Sequence, residues 1–277
     1  MAALPPMLCS DAGGTLDRVP ATWVMEPKLD GWRWQVHVTE TGVITYGGRN
    51  GHAHTGATHE IDRVLSCLPP GTILDGELLV MGGTSTDVPT RLTTDGRDLM
   101  FVAFDVLAVG GHDSCHLPWS HRRKLLEAAY EHVLPEDQHL VAITEVAPVD
   151  HDTFNEWVEQ GVEGAVCKDP GSPYLPGKRT KRWLKVKPVK TIDLRIVGLP
   201  LDGRGKFEGL VGAVEFEIEP GKVGRASGMT DRVRQEMSEH PGRYLGRLAE
   251  FAYQQVTTGG HLRHPRFIRL RPDLEAA

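Results

Sequence analysis

Five short stretches of this chain carry residue types able to act on a phosphate. Glu26-Pro27-Lys28-Leu29-Asp30-Gly31-Trp32-Arg33 places a lysine at a strand end before a D-G turn, with an arginine opening the next strand. Asp75-Gly76-Glu77 interrupts an otherwise apolar strand, and strand alternation puts the two acids on one face. Two carboxylates on a half-buried strand are costly unless a metal ion or a lysine stands opposite. Phe101–Leu107 is a buried-type strand broken by Asp105, and Phe104 is either core or a ring offered to a base. Val162–Lys168 has Glu163 at its start and Lys168 at its end, with Gly164 permitting close approach. In Trp183-Leu184-Lys185-Val186-Lys187, alternation sets Lys185 and Lys187 on one face, with Leu184 and Val186 on the other. Two like charges side by side repel unless they share an anion, and phosphate is the natural one. Each stretch alone reads as an ordinary hairpin or solvated edge. Together they supply a nucleophilic lysine, carboxylates for Mg²⁺, a stacking aromatic and paired lysines, the parts of phosphoryl-group chemistry.

The elements that must position these residues are short and mostly extended. Residues 23–47 read as two strands around a Thr41-Gly42 turn, with Trp34, Val36 and Val38 sharing a face. A short helix is expected over 58–68. Apolar strands follow at 72–81 and 99–109, separated by a Gly/Thr/Asp-rich loop. Ser120 is the expected N-cap of a helix over 121–132, and 152–160 is another short helix. Strands then fall around 164–168 and 182–187. After Pro188 the texture changes to short strands at 192–199, 210–219 and 222–227, a helix over 231–238, and apolar pieces at 248–256 and 266–270. About five short strands with one helix imply a small barrel of the OB type. The expected class is α+β: a mainly antiparallel-sheet domain over 1–189, then an OB-fold β-barrel over 190–277.

Order and spacing of the five stretches point to a family. KLDGWR, GGRNG, FVAFDVL, VEGAVCK and WLKVK resemble motifs I, Ia, III, IV and V of the covalent nucleotidyltransferases: ATP-dependent DNA ligases, RNA ligases and mRNA capping guanylyltransferases. GRNG, DGELLV, PYLPGKR and LKVKPVKTIDLRIVG are closest to DNA ligases of the minimal bacterial and phage type. GLVGAVEF, GRASGMTD and LRHPRFIRLRPD resemble the ligase OB domain and its motif VI. Two features depart from that pattern. Motif VI often ends in an acid followed by lysine, whereas Asp273 is followed here by Leu274. Only about 22 residues precede the strand bearing motif I, so a two-domain grip on DNA is expected.

The resemblance implies sealing of nicks in double-stranded DNA with ATP and Mg²⁺, or Mn²⁺. Lys28 would attack the α-phosphate as an uncharged amine and carry AMP covalently. Phe104 would stack on adenine, with Glu26 near the ring edge and Arg33 on the ribose. Glu77 and Glu163 would hold metal or the ribose hydroxyls. Lys185 and Lys187 would hold the α-phosphate, and Asp30 would assist the later transfers. Arg269 and Arg271 would orient the pyrophosphate, and Arg49 would hold the 5′-phosphate of the nick. Lys178, Arg179, Lys181, Arg182, Arg263 and Arg266 are the expected DNA contacts. The OB domain would swing about residues 188–191. An RNA ligase or capping enzyme, or a catalytically idle nick-binding module, would share the same motifs.

Composition fits these expectations. The 277 residues carry a net charge of −6, with 40% hydrophobic and 25% charged residues. An acidic total looks wrong for a DNA binder, but the distribution matters more. Residues 168–190 hold eight Lys/Arg against one acid, and 261–271 hold four arginines with none. No apolar run approaches the ~20 residues of a membrane span, and no secretory signal opens the chain. A cytoplasmic monomer is expected. Four dispersed cysteines without a C-x-x-C pair read as reduced thiols. The His112/Cys115/His116/His121 and His52/His54/His59 groups match no common metal spacing and read as polar loops.

Overall fold

The strict alternation of Trp32–Val38 decides how the first half of the chain folds. Trp34, Val36 and Val38 turn to one side and are almost fully buried there, while Arg33 faces the other way. The structure, a computed structural model, describes residues 4–42, 44–48, 53–54, 58–253, 256–257 and 259–275. The chain divides into two compact units, Met1–Lys187 and Pro188–Ala277.

The first unit runs β1 (Leu8–Asp11), β2 (Val24–Pro27), β3 (Trp32–Val38), β4 (Ile44–Gly48), β5 (Ala53–His54), α1 (His59–Leu65), β6 (Ile73–Val80), α2 (Val88–Thr93), β7 (Leu99–Val109), β8 (His112–Asp113), α3 (Trp119–Tyr130), β9 (Val141–Ile143), β10 (Ala147–Pro148), α4 (His151–Glu159), β11 (Ala165–Lys168) and β12 (Arg179–Val186). Two sheets result, one in the order β5-β4-β3-β6-β7-β8 with β9 on β7, the other β1-β12-β11-β2-β10. Among the described residues of this unit, every pairing is antiparallel except β1 with β12 and β7 with β9. Helices α1, α2 and α3 cover the apolar face of the first sheet. Helix α4 covers the second with Phe154 and Trp157. A smaller cluster with Met7, Ile73, Leu107, Tyr174 and Trp183 draws residues from both sheets.

Several expectations shift. Ser120 is not the N-cap of α3; the helix starts at Trp119 after Pro118, whose extended backbone makes no side-chain cap. The first amides are satisfied from outside the helix, Trp119 N by Ser172 O at 2.8 Å and Ser120 N by Pro170 O at 3.0 Å. Part of the Gly/Thr/Asp-rich loop is helical, because Val88 and Leu92, one turn apart, both bury on the core. Helix α4 is capped by Asp150, which accepts from Thr153 N at 2.8 Å. Strand β1 has no period-2 signature; it forms because β12 offers it a parallel edge.

The second unit contains β13 (Lys190–Gly198), β14 (Val214–Glu219), β15 (Lys222–Ala226), α5 (Asp231–Glu239), β16 (Leu248–Tyr253), β17 (Arg266–Leu270) and α6 (Pro272–Glu275). The order β15-β14-β13-β16-β17 is closed by a parallel bridge between Ser227 and Arg266. That circuit, with the α5 helix between its third and fourth strands, is the OB barrel. Its interior holds Ile196, Val214, Phe216, Phe251 and Phe267. The strand expected from 210 begins at Val214, because Gly212 N is taken by Pro200 O in a loop. Among the described residues, no helix is long and apolar enough to cross a membrane.

Candidate active site

Register brings the scattered motifs together. β11 lies between β2 and β12, with Val166 opposite both Glu26 and Lys185. Alternation sends Met25, Ala165, Cys167 and Val186 into the core under α4. The intervening residues Glu26, Lys28, Val166, Lys168, Trp183, Lys185 and Lys187 line a cavity of about 330 Å³. From the other sheet, Arg33, Glu77 and Phe104 complete its wall, and Arg33 pairs with Glu77 in register.

At one end stands Lys28. Its backbone N donates to Gly164 O at 2.8 Å, which fixes the turn after β2. Its Nζ contacts one oxygen of Glu163, and the Nζ of Lys187 contacts the other. Lys185 Nζ lies 3.6 Å from Asp11. Burial alone would raise the Glu163 carboxyl, but hydrogen bonds and charge from Lys187 and Lys28 outweigh it and hold it below its usual range. Gly164 has φ +142°, and a Cβ there would collide with the Val186 carbonyl oxygen. Gly164→Ala should therefore cost about 2 kcal/mol or more of stability and displace Lys28, read by urea unfolding and by the first-step rate. Wild-type values in both would refute the close-approach role.

At the other end is a buried pair. Lys168 and Glu26 are each 1% exposed. Lys168 Nζ lies 2.8 Å from Glu26 Oε1, donates to Oε2 at 2.9 Å and to Phe104 O at 2.8 Å, and sits 4.4 Å from the Trp183 ring centre. Thr144 also donates to Glu26 at 2.9 Å. Burial raises the Glu26 carboxyl, with Lys168 opposing. Phe104 stands edge-on to Trp183, centroids 6.2 Å apart, with the Arg33 guanidinium 4.4 Å from its own ring centre.

The expectation at Asp75 needs correction. The positive charge opposite Asp75 is neither metal nor lysine but Arg33, which donates twice at 2.6 Å. Asp105 is likewise answered by Arg122, from Nε at 2.7 Å and Nη2 at 2.9 Å. Glu26 reaches the cavity mainly as the partner of Lys168. Asp30 is exposed on the turn between β2 and β3 and does not line the cavity. Arg179 does line it and donates to Cys9 O; Lys178 and Lys181 are exposed, and Arg182 meets Asp169 at 2.5 Å. In the second unit Arg269 pairs with Glu250 at 2.8 Å and Arg271 with Asp193 at 3.0 Å and Asp273 at 2.9 Å; Arg263 and Arg266 are exposed. Arg49 lies outside the described residues. Lys168, Trp183 and Cys9 are cavity residues the sequence reading did not assign. Continuing the Lys187–Lys185 face two residues back reaches Trp183, so that signal was present.

Residues 6–187 match the family described as ATP dependent DNA ligase domain. The chain belongs to that family. Residues 202–271 match the DNA ligase OB-like domain. The chain is 31% identical to the DNA ligase of Archaeoglobus fulgidus, across 91% of this chain and 52% of that one. It is 27% identical to a probable DNA ligase of Mycobacterium sp. strain KMS, across 97% and 54%. It thus spans about half the length of these relatives. The ligase domain from M. tuberculosis LigD is 26% identical with a TM-score of 0.58, across 98% of this chain and 95% of that one. A Lig E DNA ligase, described as binding DNA with a minimal scaffold, shares the ligase fold at 19% identity and TM-score 0.66, across 97% and 100%.

Proposed function

We propose that this chain is a monomeric ATP-dependent DNA ligase that seals 5′-phosphate/3′-hydroxyl nicks in duplex DNA through AMP carried on Lys28. The carrying observation is the cavity with Lys28, Lys185 and Lys187 at one end and Phe104, Trp183 and a buried ion pair at the other. It suits a nucleotide with its phosphates at the lysines and its base against the rings. A mycobacterial DNA ligase D, 26% identical, is described as complexed with ATP, which supports ATP as the nucleotide.

Phosphate oxygens would draw Lys187 and Lys185 away from Glu163 and Asp11. With Lys187 gone, Glu163 loses the strongest influence holding its carboxyl low, and so gains affinity for the proton that Lys28 must shed. The free amine attacks the α-phosphorus; an N–P bond forms and pyrophosphate leaves. AMP then passes to the 5′-phosphate of the nick, and the 3′-hydroxyl displaces it. Positioned cations stabilise the charge that builds on phosphate oxygens. The family also implies a divalent metal. Among the described residues no group of three or more His, Cys, Asp or Glu converges. Glu77 faces the cavity, and that suits Mg²⁺ or Mn²⁺, which binds through one or two carboxylates plus substrate phosphates. Glu77 would hold it, and it would neutralise phosphate charge.

Incubation with α-labelled ATP or GTP, then with nicked duplexes of DNA or RNA strands, tests the reading. Label from ATP and sealing of DNA nicks support it. Label from GTP points to a capping enzyme, sealing confined to RNA to an RNA ligase, and binding without label to an idle module.

Duplex contact is assigned to Lys178, Arg179, Lys181 and Arg182, with Arg263 and Arg266 in the second unit. Replacing Lys178 and Lys181 together with alanine should weaken nicked-duplex binding and lower the slope of log Kobs against log salt by about 2, one per lost phosphate contact. Label uptake from ATP should not change. An unaltered slope removes these two lysines from the interface.

A further inference from the structure

Tyr174 belongs to the turn between β11 and β12 yet buries its side chain to 2%, edge-on to Trp183 with centroids 5.8 Å apart. Its hydroxyl donates to Asp75 Oδ2 at 2.6 Å and accepts from Met7 N at 2.9 Å. Asp75 has no exposure and receives both Nε and Nη2 of Arg33. Arg33 lies over Phe104 and lines the nucleotide cavity. A continuous chain of hydrogen bonds therefore runs from an external turn, through a buried carboxylate, to a guanidinium in the cavity.

The same turn carries the basic tract. Gly177 N donates to Pro5 O at 2.8 Å and Leu8 N to Lys178 O at 2.9 Å, so the turn and the segment from Pro5 to Leu8 are stitched together. Met7 N, held by the Tyr174 hydroxyl, lies in the middle of that seam. Beyond it Lys178 and Arg179 emerge exposed. A buried carboxylate takes its plane from its donors, and a bidentate guanidinium takes its plane from the carboxylate. Removing the phenol oxygen leaves Asp75 one donor short and leaves Met7 N without its acceptor.

We propose that Tyr174 is a positioning residue that sets Arg33 through Asp75 and moors the basic turn through Met7, so that nucleotide binding and nick binding share one support. This rests on the ligase reading for the identity of the two ligands.

Tyr174→Phe removes only the oxygen, and Asp75→Asn keeps the shape while removing the charge that orients Arg33. The readouts on the full chain are ATP affinity by calorimetry, the KM and kcat of self-adenylylation, and nicked-duplex affinity by anisotropy. Tyr174→Phe is expected to weaken ATP binding and raise its KM about tenfold, the scale of one hydrogen bond to a charged group, with kcat within about twofold. Nicked-duplex affinity should fall severalfold in the same variant. Asp75→Asn should reproduce the ATP effect and spare nick binding, because its amide oxygen still accepts from Tyr174. Unchanged ATP and duplex affinities in Tyr174→Phe, even with a lowered Tm, overturn the proposal, and so does a change in one affinity alone. Failure of the ligase reading looks different: the wild-type chain itself would take no label and seal no nick, while ATP calorimetry would still test Tyr174.

Discussion

Lys28→Ala will take up no label from α-labelled ATP, a loss of about 10³-fold or more, because the first step needs a nucleophile and no other group replaces it. Lys187 and Lys185 line the same cavity, but with ATP bound each would be engaged with phosphate oxygens rather than aimed at the α-phosphorus. The fold should be untouched. The Lys28 side chain is 23% exposed, and its loss leaves Glu163 still paired with Lys187. A partly exposed ion pair is worth about 0–1 kcal/mol, so unfolding should move no further than that. The variant should also keep the last chemical step. A nick supplied with AMP already on its 5′-phosphate needs no bond to Lys28, and its sealing should fall far less than the overall reaction. Label on the alanine variant would mean that another residue is the nucleophile. Loss of the last step together with the first would mean that Lys28 supports the whole site rather than one bond.

The sequence was legible where a period or a local cap carried the information. Trp32–Val38 sorted its own faces, and Lys185 and Lys187 emerged together opposite Leu184 and Val186. Phe154 and Trp157 marked the buried stripe of α4. The motifs arrived at one cavity because β2, β11 and β12 are neighbours in one sheet, which motif order alone does not state. Partners distant along the chain were not legible. Asp75 called for a positive charge, and nothing local favoured Arg33 over a metal, since the register that brings them together is set by β3 and β6 pairing. Ser120 looked like a cap because the loop that satisfies the first amides of α3 lies some 50 residues later. Glu26 and Lys168 are separated by 142 positions, and each was read as a member of its own motif.

That last pair carries a large expected effect on stability. Lys168→Met keeps the length and packing of the side chain but leaves Glu26 with Thr144 as its remaining side-chain donor. Breaking a buried pair by removing one partner costs about 3–5 kcal/mol, since an uncompensated charge stays inside. The carboxylate can escape by taking a proton. Burial already raises it, and without the opposing ammonium it rises further. A raised carboxyl means the folded chain binds the extra proton, so stability falls as pH climbs from the unfolded value through the folded one. The Lys168→Met deficit in urea unfolding should thus be larger at pH 8 than at pH 5. Adding Glu26→Gln removes the charge itself and should recover much of the loss at pH 8, with little gain at pH 5. Equal deficits at both pH values, with no recovery in the double variant, would mean that Lys168 acts through packing against Trp183 and Phe104, and that the two charges are not what holds this end of the cavity together.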